Sequence, residues 1–293
     1  MTFDKNNLEY TACPVCGCEE YKKAYDFIPF AVVRCNACRI FYLNPRPAEE
    51  AVLKLYEDDK YYKGEARSGG CAKSGYSNYF LQEPALRATF HKLLQNLKKR
   101  NIYGGSLLEV GCGYGYLLKE AKDFFDYRAG TDFSKNAVLH AGQNIDLVVK
   151  GGVEALPPDR KFDCVISLHV IEHAYNPKEF LKRLLSCLNP NGRLVIGSPD
   201  MGSFWRVIMG RRWPSFKIPE HVLFFDKNSL SGLMHNIGLQ NINILPYPHA
   251  FPVSLIGEKF GISFPSFLDR FYVWIPATTI AVYGSFSPGG SNA

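Results

Sequence analysis

Apolar positions along this chain fall into two patterns, short unbroken runs and stripes at three- and four-residue spacing, and the two alternate from residue 105 onward. Runs of the first kind read as buried strands and stripes of the second as amphipathic helices. Residues 105–110 are expected to form a strand, 115–124 a helix, 127–132 a strand and 134–143 a helix. Leu147-Val148-Val149 and residues 162–168 read as two further strands. A helix should start at Asn176-Pro177-Lys178-Glu179, with Asn as cap, Pro in the first turn and Glu three on, a capping-box arrangement. Its apolar face would be Phe180, Leu181, Leu184, Leu185 and Leu188. Asn189-Pro190-Asn191-Gly192 turns the chain into a strand at Arg193–Gly197. Leu230, Leu233, Met234 and Ile237 mark another helix ended by Gly238, and strands at 240–245 and 278–284 complete the series. Such alternation implies an α/β fold: a mostly parallel sheet, helices on both faces, and a ligand at the carboxyl ends of the strands.

Leu107 to Gly115 reads Leu-Leu-Glu-Val-Gly-Cys-Gly-Tyr-Gly, a short apolar run that ends in Glu109 and three alternate glycines, Gly111, Gly113 and Gly115. Glycines at this spacing let the backbone turn sharply and approach a ligand closely. A dinucleotide fingerprint needs G-x-G-x-x-G, and Tyr116 and Leu118 exclude it. An acid two residues before the first glycine suits an ammonium or an ordered loop better than a pyrophosphate. The second strand ends in Asp132, 21 residues after Gly111, near the spacing of about 20 expected for an acid that binds a ribose diol. The competing reading of Asp132 is a cap for the following helix, for which Ser134 is the better candidate.

These residues resemble the first motifs of class I S-adenosylmethionine-dependent methyltransferases, whose pattern is acid-x-G-x-G-x-G. The resemblance spans residues 13 to about 245 and implies a Rossmann-like seven-stranded sheet. It implies S-adenosylmethionine as cofactor, held by Glu109, Gly111, Gly113, Gly115, Asp132 and Phe133, with Val153, Glu154 and Leu168 along the adenine side. Many relatives carry Asp where this chain has Gly152, so the adenine contact passes to the Val153 amide or Glu154.

Upstream, Cys13-Pro-Val-Cys16 and Cys35-Asn-Ala-Cys38 match the spacing of paired zinc knuckles. Four thiolates close a tetrahedron with no open position, which makes the expected Zn²⁺ structural. Cys18 is a rival for Cys16. The chain thus divides into a zinc ribbon at 1–46, a helical linker with a mobile cofactor-covering segment at 47–104, and a methyltransferase domain at 105–293. Ribbon and sheet are expected to have separate cores, so metal loss should unfold the first and leave the second folded. In the linker, 47–60 reads as a helix with Leu53 and Tyr56 inward and 63–78 as a loop. Tyr61, Tyr62, Tyr76 and Tyr79 either cover the cofactor, as the resemblance suggests, or simply pack.

The acceptor site is expected where the fourth strand ends, at His169-Val170-Ile171-Glu172-His173. Methyl transfer to a hydroxyl needs the nucleophile held close and its proton removed, and His169 is the first polar residue after that strand. A similar string occurs in zinc-ribbon methyltransferases acting on small molecules. In quinone O-methyltransferases an acid stands first in it and a divalent ion is bound; here His169 takes that place. Glu172 and His173 otherwise read as anchors for the next helix. His221, behind Pro219, is a second candidate as base or substrate clamp, in a stretch with Trp205 and Trp213 after Pro199-Asp200.

Composition narrows the acceptor. The net charge is +6 and the one dense basic run, Lys98-Lys99-Arg100, ends a helical pattern. A small-molecule acceptor, with a hydroxyl of a sugar, glycan precursor or secondary metabolite, is therefore favoured over an RNA held by the ribbon, which would need a basic, aromatic-laced stripe. The first twelve residues lack an apolar run, so no signal peptide is expected and a cytoplasmic location is. The uncharged stretch 271–293 is long enough to span a membrane, but Pro276, Gly284 and Pro288 interrupt it and a last buried strand is the better reading.

Overall fold

The computed structural model describes residues 8–56, 79–142, 144–259, 268 and 270–285. Near the N-terminus β1 (Leu8–Glu9) pairs with β5 (Arg46–Pro47), and β2 (Tyr21–Phe27), β3 (Phe30–Cys35) and β4 (Phe41–Leu43) form an antiparallel meander between them. Two helices follow, α1 (Glu49–Tyr56) and α2 (Glu83–Lys98). The alternating region then gives β6 (Ser106–Val110), α3 (Tyr116–Glu120), β7 (Tyr127–Asp132), α4 (Lys135–Ala141) and β8 (Leu147–Lys150). Next come β9 (Phe162–Leu168), α5 (Pro177–Ser186), β10 (Leu188–Pro199), α6 (Phe204–Met209), β11 (Leu223–Phe224), α7 (Lys227–Asn236) and β12 (Gln240–Leu245). The last elements are β13 (His249–Pro252), α8 (Val253–Lys259), β14 (Tyr272–Ile275) and β15 (Thr279–Ser285).

Seven strands make the main sheet in the order β12-β15-β10-β9-β6-β7-β8. The pairs from β10 to β8 are parallel, and β15 enters antiparallel between β10 and β12. Because β6 leads outward to β7 and β8 while β9 leads the other way to β10, the chain reverses its direction of travel between β6 and β9. Ligands bind at such a switch point, outside the carboxyl ends of the strands. Both faces are covered, as expected. On one, α2 buries Leu86, Phe90, Leu93, Leu94 and Leu97 together with Leu107 and Ile166. On the other, α5 buries Leu181, Leu184 and Leu185 with Leu108, Val165 and Leu194.

Most expected elements lie where the pattern puts them, and the differences are local. The helix expected over 115–124 is a short α-helix continued by a 3-10 turn at Ala121–Asp123. Asn176 accepts from the Glu179 amide at 3.1 Å, but the Glu179 carboxylate turns to Arg183 instead of closing a capping box. The hairpin of β13 and β14 and the helix α8 between them have no counterpart in the pattern-based reading. Within the linker, α1 stops at Tyr56, and residues 57–78, with Tyr61, Tyr62 and Tyr76, lie outside the described residues, as do the side chains of Leu53 and Tyr56.

The ribbon departs from expectation most clearly. Its sheet does not end at β4, because β11 of the larger domain adds a fourth strand, pairing Tyr42 with Leu223 and Phe41 with Phe224. The Leu43 amide donates to the Val222 carbonyl at 2.9 Å, and the Tyr175 hydroxyl donates to the Pro47 carbonyl at 2.7 Å. Phe216 stacks against Phe27 and Tyr25, with ring centroids 5.2 and 4.9 Å away. Val32, Val33, Tyr42 and Leu43 are thereby buried in one apolar cluster with Leu223, Phe225 and Leu230. The two regions do not have separate cores.

Candidate functional site

Each C-x2-C segment folds as the spacing requires. Gly17 and Arg39, each the residue after the second cysteine of its pair, take φ of +77° and +66°. This left-handed step closes both knuckles in the same way. The sulfurs of Cys13, Cys16, Cys35 and Cys38 all lie within 4.8 Å of one another, with Cys13–Cys38 and Cys16–Cys35 each at 3.5 Å. A tetrahedron built on zinc–sulfur bonds of ~2.3 Å has edges of about 3.8 Å, so the four atoms fit that ion. Cys18 stands apart from the set, its thiol directed to the Glu20 carbonyl.

The glycine loop joins β6 to α3 at the switch point. Gly111, Gly113 and Gly115 have φ of +79°, +51° and +71°, values open to glycine but strained for other residues. A Cβ on Gly111 would come within 2.4 Å of Val170 Cγ2, and one on Gly115 within 2.9 Å of Ala141. A Cβ on Gly113 would meet the Tyr79 hydroxyl at 3.3 Å. Tyr79 itself stacks on Tyr116 and meets Tyr114 edge-on. Of the linker tyrosines it is the one described, and it both packs and overhangs the loop.

Two carboxylates sit beneath this loop. Glu109 is 3% exposed and its Oε2 has no hydrogen-bond partner among the described residues. Burial, with the nearby charge of Asp132, raises its carboxyl well above the ordinary range. A buried, partnerless carboxylate oxygen under a glycine cradle fits an ammonium group supplied by a ligand. Asp132 is more occupied than expected: its Oδ2 accepts from the Gly113 amide at 2.9 Å and its Oδ1 from the Ser134 amide at 2.8 Å. It therefore orders the loop whatever else it binds. Ser134 caps α4, as foreseen, by accepting from the Ala137 amide.

Along the remainder of this rim, Phe133 is 58% exposed and offers an open aromatic face. Val153 and Glu154 lie in a 3-10 turn, where Glu154 folds back to accept from the Gly152 amide at 2.9 Å. Leu168 is buried, and a Cβ on Gly197 would come within 2.6 Å of it.

At the end of β9 the chain turns through His169, whose φ of +58° is rare for a residue with a side chain. Such backbone persists where its surroundings hold it, at a cost of about 1–3 kcal/mol. Here the His169 amide is held by the Gly197 carbonyl at 2.9 Å. Its Nδ1 lies 3.5 Å from Glu172 Oε1, and its Nε2 lies 3.2 Å from the Tyr247 hydroxyl. Glu172, 1% exposed, also accepts from Ser198 through Oε2 at 3.3 Å. Burial alone would raise this carboxyl. The His169 imidazole, 3.5 Å from Oε1, and after it those of His221 and His173 hold it at about 2 instead.

His221 is brought to the far side of Glu172 rather than to His169. The Val222 amide donates to the Glu172 carbonyl at 2.9 Å, fastening the two segments. His221 Nδ1 donates to the Ser215 carbonyl at 2.8 Å and His173 Nδ1 to the Glu220 carbonyl at 2.9 Å. Both rings are pushed toward the neutral form by burial. Ligand atoms of Glu172, His173 and His221 lie within 4.8 Å of one another, a donor set that could also hold a cation. Sequence reasoning missed Tyr247 and His249, whose rings lie 5.8 and 6.0 Å from His169. Tyr247 stands two residues past the end of β12, so the rule that sites gather at strand ends could have found it.

A methyltransferase-domain family model matches residues 80–244. Ubiquinone biosynthesis O-methyltransferase of Bradyrhizobium diazoefficiens is 31% identical over 139 residues, 45% of this chain and 51% of that protein. The tRNA U34 carboxymethyltransferase of Pseudoalteromonas translucida is 35% identical over 102 residues, 32% of this chain and 31% of that protein. The chain spans about half the length, or less, of these two curated relatives. Among solved structures, a possible histamine N-methyltransferase from Thermotoga maritima superposes with a TM-score of 0.52 at 20% identity, covering 72% of this chain and 94% of that one. Magnesium protoporphyrin IX methyltransferase of Synechocystis with bound SAH gives 0.51 at 14% identity, covering 82% and all of that chain. At such identities the likeness speaks for the fold. With more than half of its length matched by the family model, and with this sheet, the chain belongs to the methyltransferase-domain family in its class I S-adenosylmethionine-dependent form.

Proposed function

We propose that the chain methylates a hydroxyl of a small molecule, such as a sugar, a glycan precursor or a secondary metabolite, with S-adenosylmethionine as methyl donor. The observation that carries this reading is the meeting of the two strand ends: Gly111 of the cofactor loop lies against Val170, the neighbour of His169. The bound cofactor would supply an activated methyl group on a sulfonium. Glu109 would hold its ammonium, the glycine loop its main chain side, and Asp132 with Phe133 its nucleoside. At the acceptor side, His169 removes the hydroxyl proton at Nε2 once the acceptor displaces the Tyr247 hydroxyl that occupies this nitrogen in the ligand-free chain, and the Glu172 carboxylate, 3.5 Å from Nδ1, favours the tautomer with the proton on that side. Glu172 therefore acts as a positioning residue. Four thiolates would hold a structural Zn²⁺ in the ribbon.

Calorimetry with S-adenosylmethionine and its demethylated product tests the cofactor half. Glu109→Gln is expected to weaken binding roughly 10- to 100-fold, the worth of hydrogen bonds to a charged group. Gly113→Leu should abolish binding, since its φ of +51° strains any side chain and the Cβ alone would press on the Tyr79 hydroxyl at 3.3 Å. Unchanged affinity in both variants would remove the cofactor assignment.

A pH dependence follows from Glu109. Its folded carboxyl titrates above the unfolded value, so the folded chain binds the extra proton between the two. Stability of the ligand-free protein should fall as pH rises through that window, and Glu109→Gln should lose this fall. A thermal melt series from pH 4 to 8 measures it, and identical slopes in both proteins would contradict the burial argument.

A further inference from the structure

Helix α6 turns its charged residue inward and its apolar residues outward. Arg206 points into the protein, donating from Nε to the Met201 carbonyl at 2.8 Å and from Nη1 to the Tyr25 hydroxyl at 2.7 Å. Trp205 is half-buried and donates from Nε1 to the Pro276 carbonyl at 2.8 Å. The other face carries Phe204, Val207 and Ile208, which are 64%, 64% and 62% exposed. Residues at i, i+3 and i+4 share one side of a helix, and a globular protein normally buries such a stripe. Scattered surface apolar residues need no explanation, but three large ones side by side mark an interaction site.

The surrounding charge says what kind of surface this face meets. Residues 201–219 contain Arg206, Arg211, Arg212 and Lys217 and no Asp or Glu. Arg211 and Arg212 are exposed, in the 3-10 turn that continues the helix, seven and eight residues after Phe204. Apolar groups at the front and two cations beside them are the composition of an interfacial membrane element. A second copy of the chain meeting this face symmetrically would bring the arginine pairs of both copies together. An RNA strand would satisfy the arginines and leave the apolar stripe in water.

We propose that α6 and the turn after it dock on an anionic lipid surface, with Phe204, Val207 and Ile208 entering the headgroup boundary and Arg211 and Arg212 meeting the headgroups. The element leaves the sheet just after β10, at the same carboxyl end that carries His169. Docking would therefore bring the mouth of the acceptor site to the bilayer, and the acceptor class that fits is an amphiphile with its hydroxyl at the headgroup level. That last step rests on the methyl-transfer reading, whereas the docking does not. It is also compatible with the finding that no helix among the described residues is long and apolar enough to cross a membrane.

The test is co-sedimentation of the full chain with vesicles of phosphatidylcholine alone and of phosphatidylcholine mixed with phosphatidylglycerol. Binding is expected on the mixed vesicles, weakened by salt. The pair Arg211→Ala and Arg212→Ala should lower partitioning roughly 20-fold, and the pair Phe204→Ser and Ile208→Ser roughly 10-fold or more. Calorimetric binding of S-adenosylhomocysteine, or an unaltered circular dichroism melt, shows that each variant is folded. Equal binding to both vesicle types overturns the proposal. So does loss with the arginine pair alone, accompanied by equal binding to RNA, since that is a polyanion response. A dimer in light scattering that Ile208→Ser dissolves would assign the face to a second copy and overturn it as well.

Discussion

Replacing His169 by alanine is expected to lower turnover on the true acceptor roughly 10²–10⁴-fold, the usual worth of a general base, while cofactor affinity changes little. The geometry behind this has three parts. Nε2 faces the Tyr247 hydroxyl at 3.2 Å, Nδ1 faces Glu172 at 3.5 Å, and the backbone is held at a φ of +58° by the Gly197 carbonyl. An imidazole in that setting offers Nε2 to the acceptor in place of the Tyr247 hydroxyl, because the carboxylate lies beside Nδ1. His221→Ala gives the contrast. That ring is buried, pushed toward the neutral form by burial and bonded to Ser215, so its loss should act through Glu172 and the pocket wall, with a smaller drop in turnover. Steady-state kinetics of both variants separates the roles. Near-normal turnover in His169→Ala would transfer the assignment to positioning alone.

Stripping metal from the ribbon, or replacing Cys35 by serine, is expected to lower the melting temperature of the whole chain in one transition. A four-thiolate site contributes folding energy outright, about 10 kcal/mol or more in isolated zinc modules. Were only part of that passed on to the larger domain, the fall would still be on the order of 10 °C or more. The transition should be single because Tyr42 and Leu43 are buried together with Leu223 and Phe225. Differential scanning calorimetry with and without chelator, alongside elemental analysis, reads both effects. A second transition unmoved from the intact protein would show that the sheet domain stands alone. Absence of metal in protein purified without chelator would refute the zinc assignment itself.

What could be read from the sequence was whatever leaves a local signal. β9 lies at Phe162–Leu168, the bounds that its apolar run suggested, and β7 ends at Asp132 as its acid implied. The glycines at 111, 113 and 115 do take positive φ, since that spacing has little other use. Contacts between distant segments left no such trace. β11 is two residues of an apolar stretch and shows no period, yet it closes the ribbon's sheet. Glu172 looked like a helix anchor because two of its partners, Ser198 and His221, come from distant parts of the chain. On α6, helical periodicity would have turned Phe204, Val207 and Ile208 inward, and the bonds of Arg206 to Met201 and Tyr25 and of Trp205 to Pro276 reverse the face.

The pairing of β4 with β11 joins residues about 180 positions apart, so it also sets an order of events during synthesis. The ribbon emerges first, and until Leu223 and Phe224 arrive the outer side of β4 has no strand to pair with. An unpaired edge invites association with other chains, and this one is blunt only in being three residues long. A nascent chain halted between the ribbon and β11 carries an unpaired strand edge on the ribbon. Truncations should therefore be drawn beyond β11, and a fragment cut to the family-matched region alone loses the neighbour that β11 was built to meet.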